Sequence, residues 1–318
     1  MEFPQTVRMK IEELTEGIPV SELKDTAARL SEKYRDGKGG KRILSDAEAA
    51  VYSAVRMPAT FGAVGAALGY ALECTDDVFE SLMDFGAGTA AAVLAADRLI
   101  SPERVICLER ERTMQKVGRE LLEAYGGSPA NAEWNCFDIT SDNTGDTADL
   151  VVSSYMLNEL SPDALETVLA KMWAAARKML LIVEPGTPAG YGVIKRTRSI
   201  LISAGAHIAA PCPHSGECPA SEADWCHFSC RIARSRLHKL LKSGDVPYED
   251  EKFTYIAASR NPCSPANARV MRRPGTEKGR ISLRLCTENG FEDRLITARD
   301  KDSFKMARKA VWGGKIWL

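Results

Sequence analysis

No apolar run in the 318 residues approaches the ~20 that a membrane-spanning helix needs. The opening "MEFPQTVRMKIEELTEG" also lacks the apolar segment of a secretory leader. Together these point to a protein without a membrane partner, and the simplest placement is cytoplasmic. There thiols stay reduced, so clustered cysteines signal metal binding or catalysis before disulfides. Internal repeats and low-complexity segments are missing too. Net charge is nearly missing, at −1, but the balance is uneven. From Arg231 onward there are 20 Lys and Arg against 10 Asp and Glu, and the other 22 against 33 lie before it. A basic half fits a polyanionic partner; a solvated charged surface is the plainer reading.

What is present falls into three parts: a helical region over 1–75, an α/β domain over 76–208, and a Cys-rich, basic, partly β region over 209–318. In the first, "PVSELKDTAARLSEKYR" and "SDAEAAVYSAVRMPATFGAVGAALGYAL" have helical apolar spacing, with Ser21 and Ser45 as N-caps and "RDGKGGKR" as the loop between them. In the second, strand and helix alternate. "SLMDFGAG", "RVICLER", "AEWNCFDIT", "ADLVVSSYML" and "MLLIVEPG" read as strands, separated by helices such as "TMQKVGRELLEAYGG" and the Ser-capped "SPDALETVLAKMWAAARK". The alternation predicts a doubly wound, Rossmann-like parallel sheet, with ligands at the carboxyl ends of its strands. In the third, "WCHFSCRIARSRLHKLLKSGD" shows helical periodicity, with Arg231, Arg234, His238 and Lys242 on one face. Arg272, Arg273, Lys278 and Arg280 form a second basic run in a tail of short strands and Gly turns.

"DFGAGTAAA" puts Asp84, Gly86 and Gly88 between a strand and a helix. Glycines let backbone approach a ligand, and a helix N-terminus offers free N–H groups. Glu109, at the end of the next strand, suits ribose hydroxyls, and Asp138, after the third strand, an adenine edge. The carboxylate at the strand end favours the ammonium group of S-adenosylmethionine. A dinucleotide fingerprint and a purely structural turn are the alternatives. The fourth strand ends "SSYMLNEL", without the Asn/Asp-Pro-Pro-aromatic motif of amino-group methylation and without a cysteine nucleophile. Asn158 and Glu159 are its polar residues best placed to face a substrate; capping a helix is their bland role.

Cys212, Cys218 and Cys226 follow C-x5-C-x7-C, with Cys230 close behind. These gaps are wider than the close pairs of zinc sites and fit a larger iron–sulfur cluster better. Cys230, Cys263 and Cys286 are candidates for a fourth thiolate. His214 and His227 are ligands or, more simply, hydrogen-bond donors around the site.

"VEPGTPAGYGVIKRTRSILISAGAHIAAPCPHSGECP", "DWCHF", "YEDEKFTYIAASR", "YSAVRMPAT" and "KAVWGGK" resemble the methyltransferase-like family associated with the mitochondrial small ribosomal subunit. The resemblance covers nearly the whole chain. It implies a methyltransferase fold, a four-iron four-sulfur cluster, and modification of small-subunit rRNA or a non-catalytic part in ribosome assembly. It also implies Cys212, Cys218, Cys226 and Cys286 as the cluster ligands, leaving Cys230 outside the set.

Overall fold

The computed structural model describes residues 1–35, 43, 45–221, 223–242 and 245–317. The expected loop "RDGKGGKR" falls almost wholly outside them. The chain divides into two compact units built from separated segments. Met1–Gly65, Val78–Arg177 and Cys230–Glu251 form the first; Ala66–Asp77, Lys178–Ser229 and Lys252–Leu318 form the second.

Four helices come first: α1 (Gln5–Leu14), α2 (Val20–Arg35), α3 (Asp46–Val55) and α4 (Met57–Leu72). Ser45 caps α3, its side chain accepting from the Glu48 amide at 3.1 Å. Ser21 does not cap α2, which begins at Val20, so Ser21 lies in the first turn. The apolar run expected as one helix after Ser45 is two helices, α3 and α4, parted at Arg56. Pro58 explains the break. It has no N–H to continue a helix but is well placed in the first turn of a new one.

Strand and helix then alternate as β1 (Ser81–Phe85), α5 (Ala91–Ile100), β2 (Arg104–Glu109), α6 (Arg112–Tyr125), β3 (Glu133–Cys136), β4 (Ala148–Ser154) and α7 (Pro162–Ala175). β1 pairs in parallel with β2 and β4, and β2 with β3, giving the order β3-β2-β1-β4. Every residue of β1 is buried, and all but the last of β4, as continuous apolar strands of a parallel sheet should be. This is the Rossmann-like half of the fold. Gly118 on α6 sits so close to the Trp134 ring that a Cβ there would overlap it.

β5 (Ala176–Pro185), α8 (Pro188–Ser203), β6 (His207–Ala210), β7 (Phe228–Ala233), α9 (Arg236–Leu241) and β8 (Tyr248–Ser259) follow. β8 runs antiparallel to β5 and to β6, so the sheet is mixed and not wholly parallel. The helix expected over 225–245 is corrected as well: 228–233 is a strand, and α9 begins only after Ser235, whose hydroxyl accepts from the His238 amide at 3.0 Å. Phe228 and Ile232, four apart, fit one helical face, but they equally fit one face of a strand, and both are buried.

The tail forms β9 (Ala268–Val270), β10 (Gly275–Glu277), β11 (Arg280–Thr287), β12 (Gly290–Thr297), α10 (Lys301–Ala307) and β13 (Lys315–Ile316). Its sheet has the order β10-β11-β9-β13, with β12 also on β11. Gly279 and Gly290 take positive φ (73° and 107°) between antiparallel neighbours. Val270, Ile281, Leu283, Leu285 and Ile296 supply the core. Among the described residues no helix is long and apolar enough to cross a membrane.

Candidate functional site

The first candidate site is the turn after β1. Gly86 and Gly88 both have positive φ (73° and 54°). The Gly86 and Ala87 amides donate to Leu108 O at 2.9 and 3.1 Å, which folds the loop over the end of β2. Ala90, the residue before α5, also has a left-handed φ of 68°. A non-glycine residue there is strained, a feature concentrated at functional sites. A Cβ on Gly86 would lie 3.3 Å from Met156, just past β4.

Asp84 is 1% exposed, and neither carboxyl oxygen has a hydrogen-bond partner. Burial, with the Glu109 charge adding, pushes its pKa up to about 8. The Thr89 and Ser153 hydroxyls are also buried without partners. Ser153 is in register with Phe85 across β1 and β4. Orphaned polar atoms of this kind are rare in a finished core and suit a polar ligand at the strand ends.

Glu109 differs from expectation in detail. Its carboxylate accepts from the Gly88 amide at 2.8 Å and the Glu111 amide at 2.7 Å. Burial raises its pKa against those two bonds. Oε2 is thus committed to the glycine turn and Oε1 to the turn from β2 into α6. Asp138 accepts from the Thr140 hydroxyl and amide and lies 3.7 Å from Arg110. The Thr140 bonds, aided by Arg110, lower its pKa. Asn158 and Glu159 lie on a short 3₁₀ turn, Leu157–Glu159, and are exposed. Partial burial of the Glu159 carboxyl raises its pKa, Arg110 opposes this and Glu109 adds to it, so Glu159 lies within electrostatic reach of Glu109.

Sequence reasoning missed Tyr155, at the end of β4. Its φ is 57°, its hydroxyl donates to Glu251 Oε1 at 3.0 Å, and Arg56 lies 5.9 Å over its ring. Nothing in "SSYMLNEL" signals a left-handed tyrosine, because bulky residues rarely adopt that conformation.

The second candidate site is the cysteine stretch. Among the described residues no group of three or more His, Cys, Asp or Glu is arranged to hold a metal ion. All nine cysteines are free thiols. Cys212, Cys218, Cys226 and Cys286 are nonetheless electrostatic neighbours. Burial raises the Cys226 pKa well above the usual thiol value, and Cys212, Cys218 and Cys286 each raise it further. Cys286 is pushed up to about 12 by burial, then by Cys212 and Cys218. Cys212 is raised by burial, with Arg198 the main opposing charge. By contrast, Cys230 feels Glu251 and Asp250, and Cys263 feels Cys74 and Asp77. The Tyr191 hydroxyl lies 3.3 Å from Cys218 Sγ, and His214 Nε2 lies 4.0 Å from Cys286 Sγ. His227 is fixed elsewhere, with Nδ1 3.1 Å from Trp225 O and its ring stacked on Trp225. Four thiols within electrostatic reach of one another are, by their chemistry, a donor set for a multi-iron cluster and not an arranged site for a single ion. Sequence reasoning missed Tyr191, Arg198 and Arg269, whose approach depends on α8 and β9.

The expected basic helix face is dismantled. Arg231, on β7, forms a two-bond pair with Asp250. Arg234 and Lys242 both reach Glu249, at 2.9 and 3.2 Å. His238 is fully buried. In the second run Arg272 pairs with Asp224. Arg273, Lys278 and Arg280 are exposed, with no ion pair among the described residues.

A family model described as mitochondrial small ribosomal subunit Rsm22 matches residues 46–317. The human mitochondrial ribosome assembly protein METTL17 is 28% identical over 83% of this chain and 61% of its own length. The mitochondrial Rsm22-cox11 tandem protein 2 of Schizosaccharomyces pombe is 22% identical over 89% of this chain and 45% of its own. The chain thus spans about half to three-fifths of these relatives. An O-methyltransferase family protein of Burkholderia thailandensis shares 12% identity and a TM-score of 0.47 over 76% of this chain and 71% of that one. The cytoplasmic expectation is corrected here, because the family description and both relatives are mitochondrial. It rested on lacking a secretory leader, which does not bear on mitochondrial targeting segments, since those are amphipathic and Arg-rich.

Proposed function

This chain belongs to the Rsm22 family of the mitochondrial small ribosomal subunit, and we propose that it is an S-adenosylmethionine-dependent methyltransferase acting on small-subunit rRNA. The observation that carries the cofactor reading is Asp84, a buried carboxyl without a partner beside a doubly left-handed glycine turn. In this reading Asp84 takes the cofactor's ammonium group, Glu109 the ribose and Asp138 the adenine edge. Asn158 and Glu159 border the acceptor side. Cys212, Cys218, Cys226 and Cys286 hold a [4Fe–4S] cluster, whose contribution is to cross-link the second unit and not to react. The RNA partner is recognised through Arg273, Lys278 and Arg280, with Arg272, Arg231, Arg234 and Lys242 as weaker, internally paired contacts.

A second reading, ribosome assembly without catalysis, is favoured by the similarity to a human mitochondrial ribosome assembly protein. It keeps cofactor binding and loses only the transfer. Two measurements separate the readings. Calorimetry should show S-adenosylmethionine binding to wild type and none to Gly86→Val. That change would crowd Met156 and force a β-branched residue to positive φ, at roughly 1–3 kcal/mol of strain. No binding to folded wild type would end the cofactor reading. Methyl transfer from labelled cofactor to isolated small subunits should then occur; binding without transfer establishes the assembly reading.

A further inference from the structure

The second unit buries two guanidinium groups beside its thiols. Arg269 is fully buried and Arg198 is 6% exposed. Both are tied to the backbone of the cysteine stretch. Arg269 Nε donates to Pro211 O at 2.9 Å, one residue before Cys212, and its Nη1 to Gly313 O at 3.0 Å. Arg198 Nη2 donates to His214 O and Gly216 O, both at 2.8 Å, in the loop between Cys212 and Cys218. Carbonyls accept hydrogen bonds but do not neutralise charge. Among the described residues neither arginine meets a carboxylate. Arg198 Nε and Arg269 Nη2 are moreover buried donors without a hydrogen-bond partner, and the only π contact is the Tyr70 ring 5.6 Å from the Arg269 guanidinium among the described residues.

A buried cation without an anion is costly, by several kcal/mol per ion even after relaxation. Neutral thiols do not relieve it, and burial favours the neutral thiol. A metal centre reverses that balance, because coordination deprotonates the thiol. Four thiolates around a four-iron core carrying two positive charges make a dianion. Two guanidiniums match it.

We propose that Arg198 and Arg269 are the charge partners of the metal centre, positioning and neutralising a four-thiolate dianion through their unpartnered N–H groups. This rests on the cluster reading above. The bare protein then carries two uncompensated buried cations that loading satisfies. The arginines act through the thiolates and touch no substrate, so they are positioning residues.

The test compares the full chain bare and reconstituted anaerobically with iron and sulfide, reading bound iron, visible absorbance and Tm of each form. Loading should raise the wild-type Tm. Arg198→Met and Arg269→Met keep most of the side-chain length and remove the charge. Each should narrow the gap between loaded and bare Tm by about half or more, and the Lys variants should recover most of it. Equal Tm shifts in bare and loaded forms, leaving the gap unchanged, would mean that the arginines only brace the loop, and would overturn the proposal. Where a Met variant does not fold, its Lys counterpart decides: a wild-type gap supports charge pairing, and a lost gap refutes it. A wild type that takes up no iron is a distinct result; it sinks the cluster reading itself and this proposal with it.

Discussion

The glycine turn of the first unit and the cysteine stretch of the second organise their chemistry by opposite routes. The turn is local. Asp84, Gly86, Gly88 and Thr89 are nearly consecutive, and one strand away Glu109 ties the loop by accepting from the Gly88 amide. Parallel pairing of β1 with β2 does the rest. The cysteine site is assembled from afar. Cys286 comes from β11, Arg269 from β9 and Arg198 from α8, toward a stretch with little regular structure of its own. A local site keeps its shape as long as its sheet is intact. An assembled site needs a bond that closes long stretches of chain, and metal ligation is one such bond.

The largest effect should come from breaking that bond. Protein prepared without oxygen should carry about four irons per chain, as a Cys₄ cubane does. Serine at Cys212, Cys218, Cys226 or Cys286 should abolish loading and destabilise the second unit. Loss of a metal centre is among the few single changes that exceed about 4 kcal/mol. Serine at Cys230 or Cys263 should leave iron content unchanged, because their thiols feel other neighbours. Proteolysis should show the loss confined to segments of the second unit, with β1–β4 still protected. Uniform loss of protection across both units would break the contrast between local and assembled sites. Stoichiometric zinc in place of iron would change the metal and keep the contrast.

The same contrast governs what was legible beforehand. The alternation from β1 to β5 and the Gly turn could be read because apolar period and turn chemistry are local signals. The three close cysteines stood out as a spacing, and Cys286 was one of three candidates for a fourth thiolate, singled out by a family resemblance. β7 was misread as helix because its apolar residues four apart satisfy both periods. The basic face built on that helix failed with it: Glu249 and Asp250, which neutralise three of its cations, lie on β8 and are invisible to a helical wheel. Left-handed Ala90 and Tyr155 carry no sequence signal, since the residue type argues against the conformation.

A smaller effect tests whether the turn is built for a cationic ligand. The Asp84 pKa is raised from the model-peptide range to about 8 in the folded, ligand-free protein. Between those values the folded state therefore holds a proton that the unfolded chain has lost. Stability falls as pH rises through this window, by at most about 1.4 kcal/mol per pH unit for one group. The Tm of ligand-free protein should decline from pH 6 to pH 8.5. Asp84→Asn should flatten most of that decline, and a residue should persist because the Glu109 pKa is raised too. Saturating S-adenosylmethionine should flatten it in wild type by pairing its ammonium group with the carboxylate. A decline of equal slope in wild type and Asp84→Asn would show that Asp84 already has a charge partner.

The smallest effect concerns RNA, and it sets paired cations against unpaired ones. Arg231, Arg234 and Lys242 in the first unit already hold Asp250 and Glu249. To take a phosphate they must leave a carboxylate, so the net gain is small. Arg273, Lys278 and Arg280 in the second unit are exposed and hold no acid among the described residues. Each phosphate neutralised releases condensed counterions, worth roughly 0.7 in the slope of log K against log salt for single-stranded targets. Alanine at all three unpaired positions should therefore lower the salt slope for small-subunit rRNA fragments by about 2 if each contacts one phosphate. Alanine at the three paired positions should lower it by less than about 1, since surface ion pairs must first be exchanged. Filter binding at several salt concentrations measures both slopes. S-adenosylmethionine affinity, read in parallel, should stay unchanged in the second-unit variant, whose three positions lie outside the turn's unit. A larger loss from the paired set would mean that RNA displaces Glu249 and Asp250 from their arginines. The basic surface would then be one that opens on binding, and the unpaired tail cations would be only solvated charge.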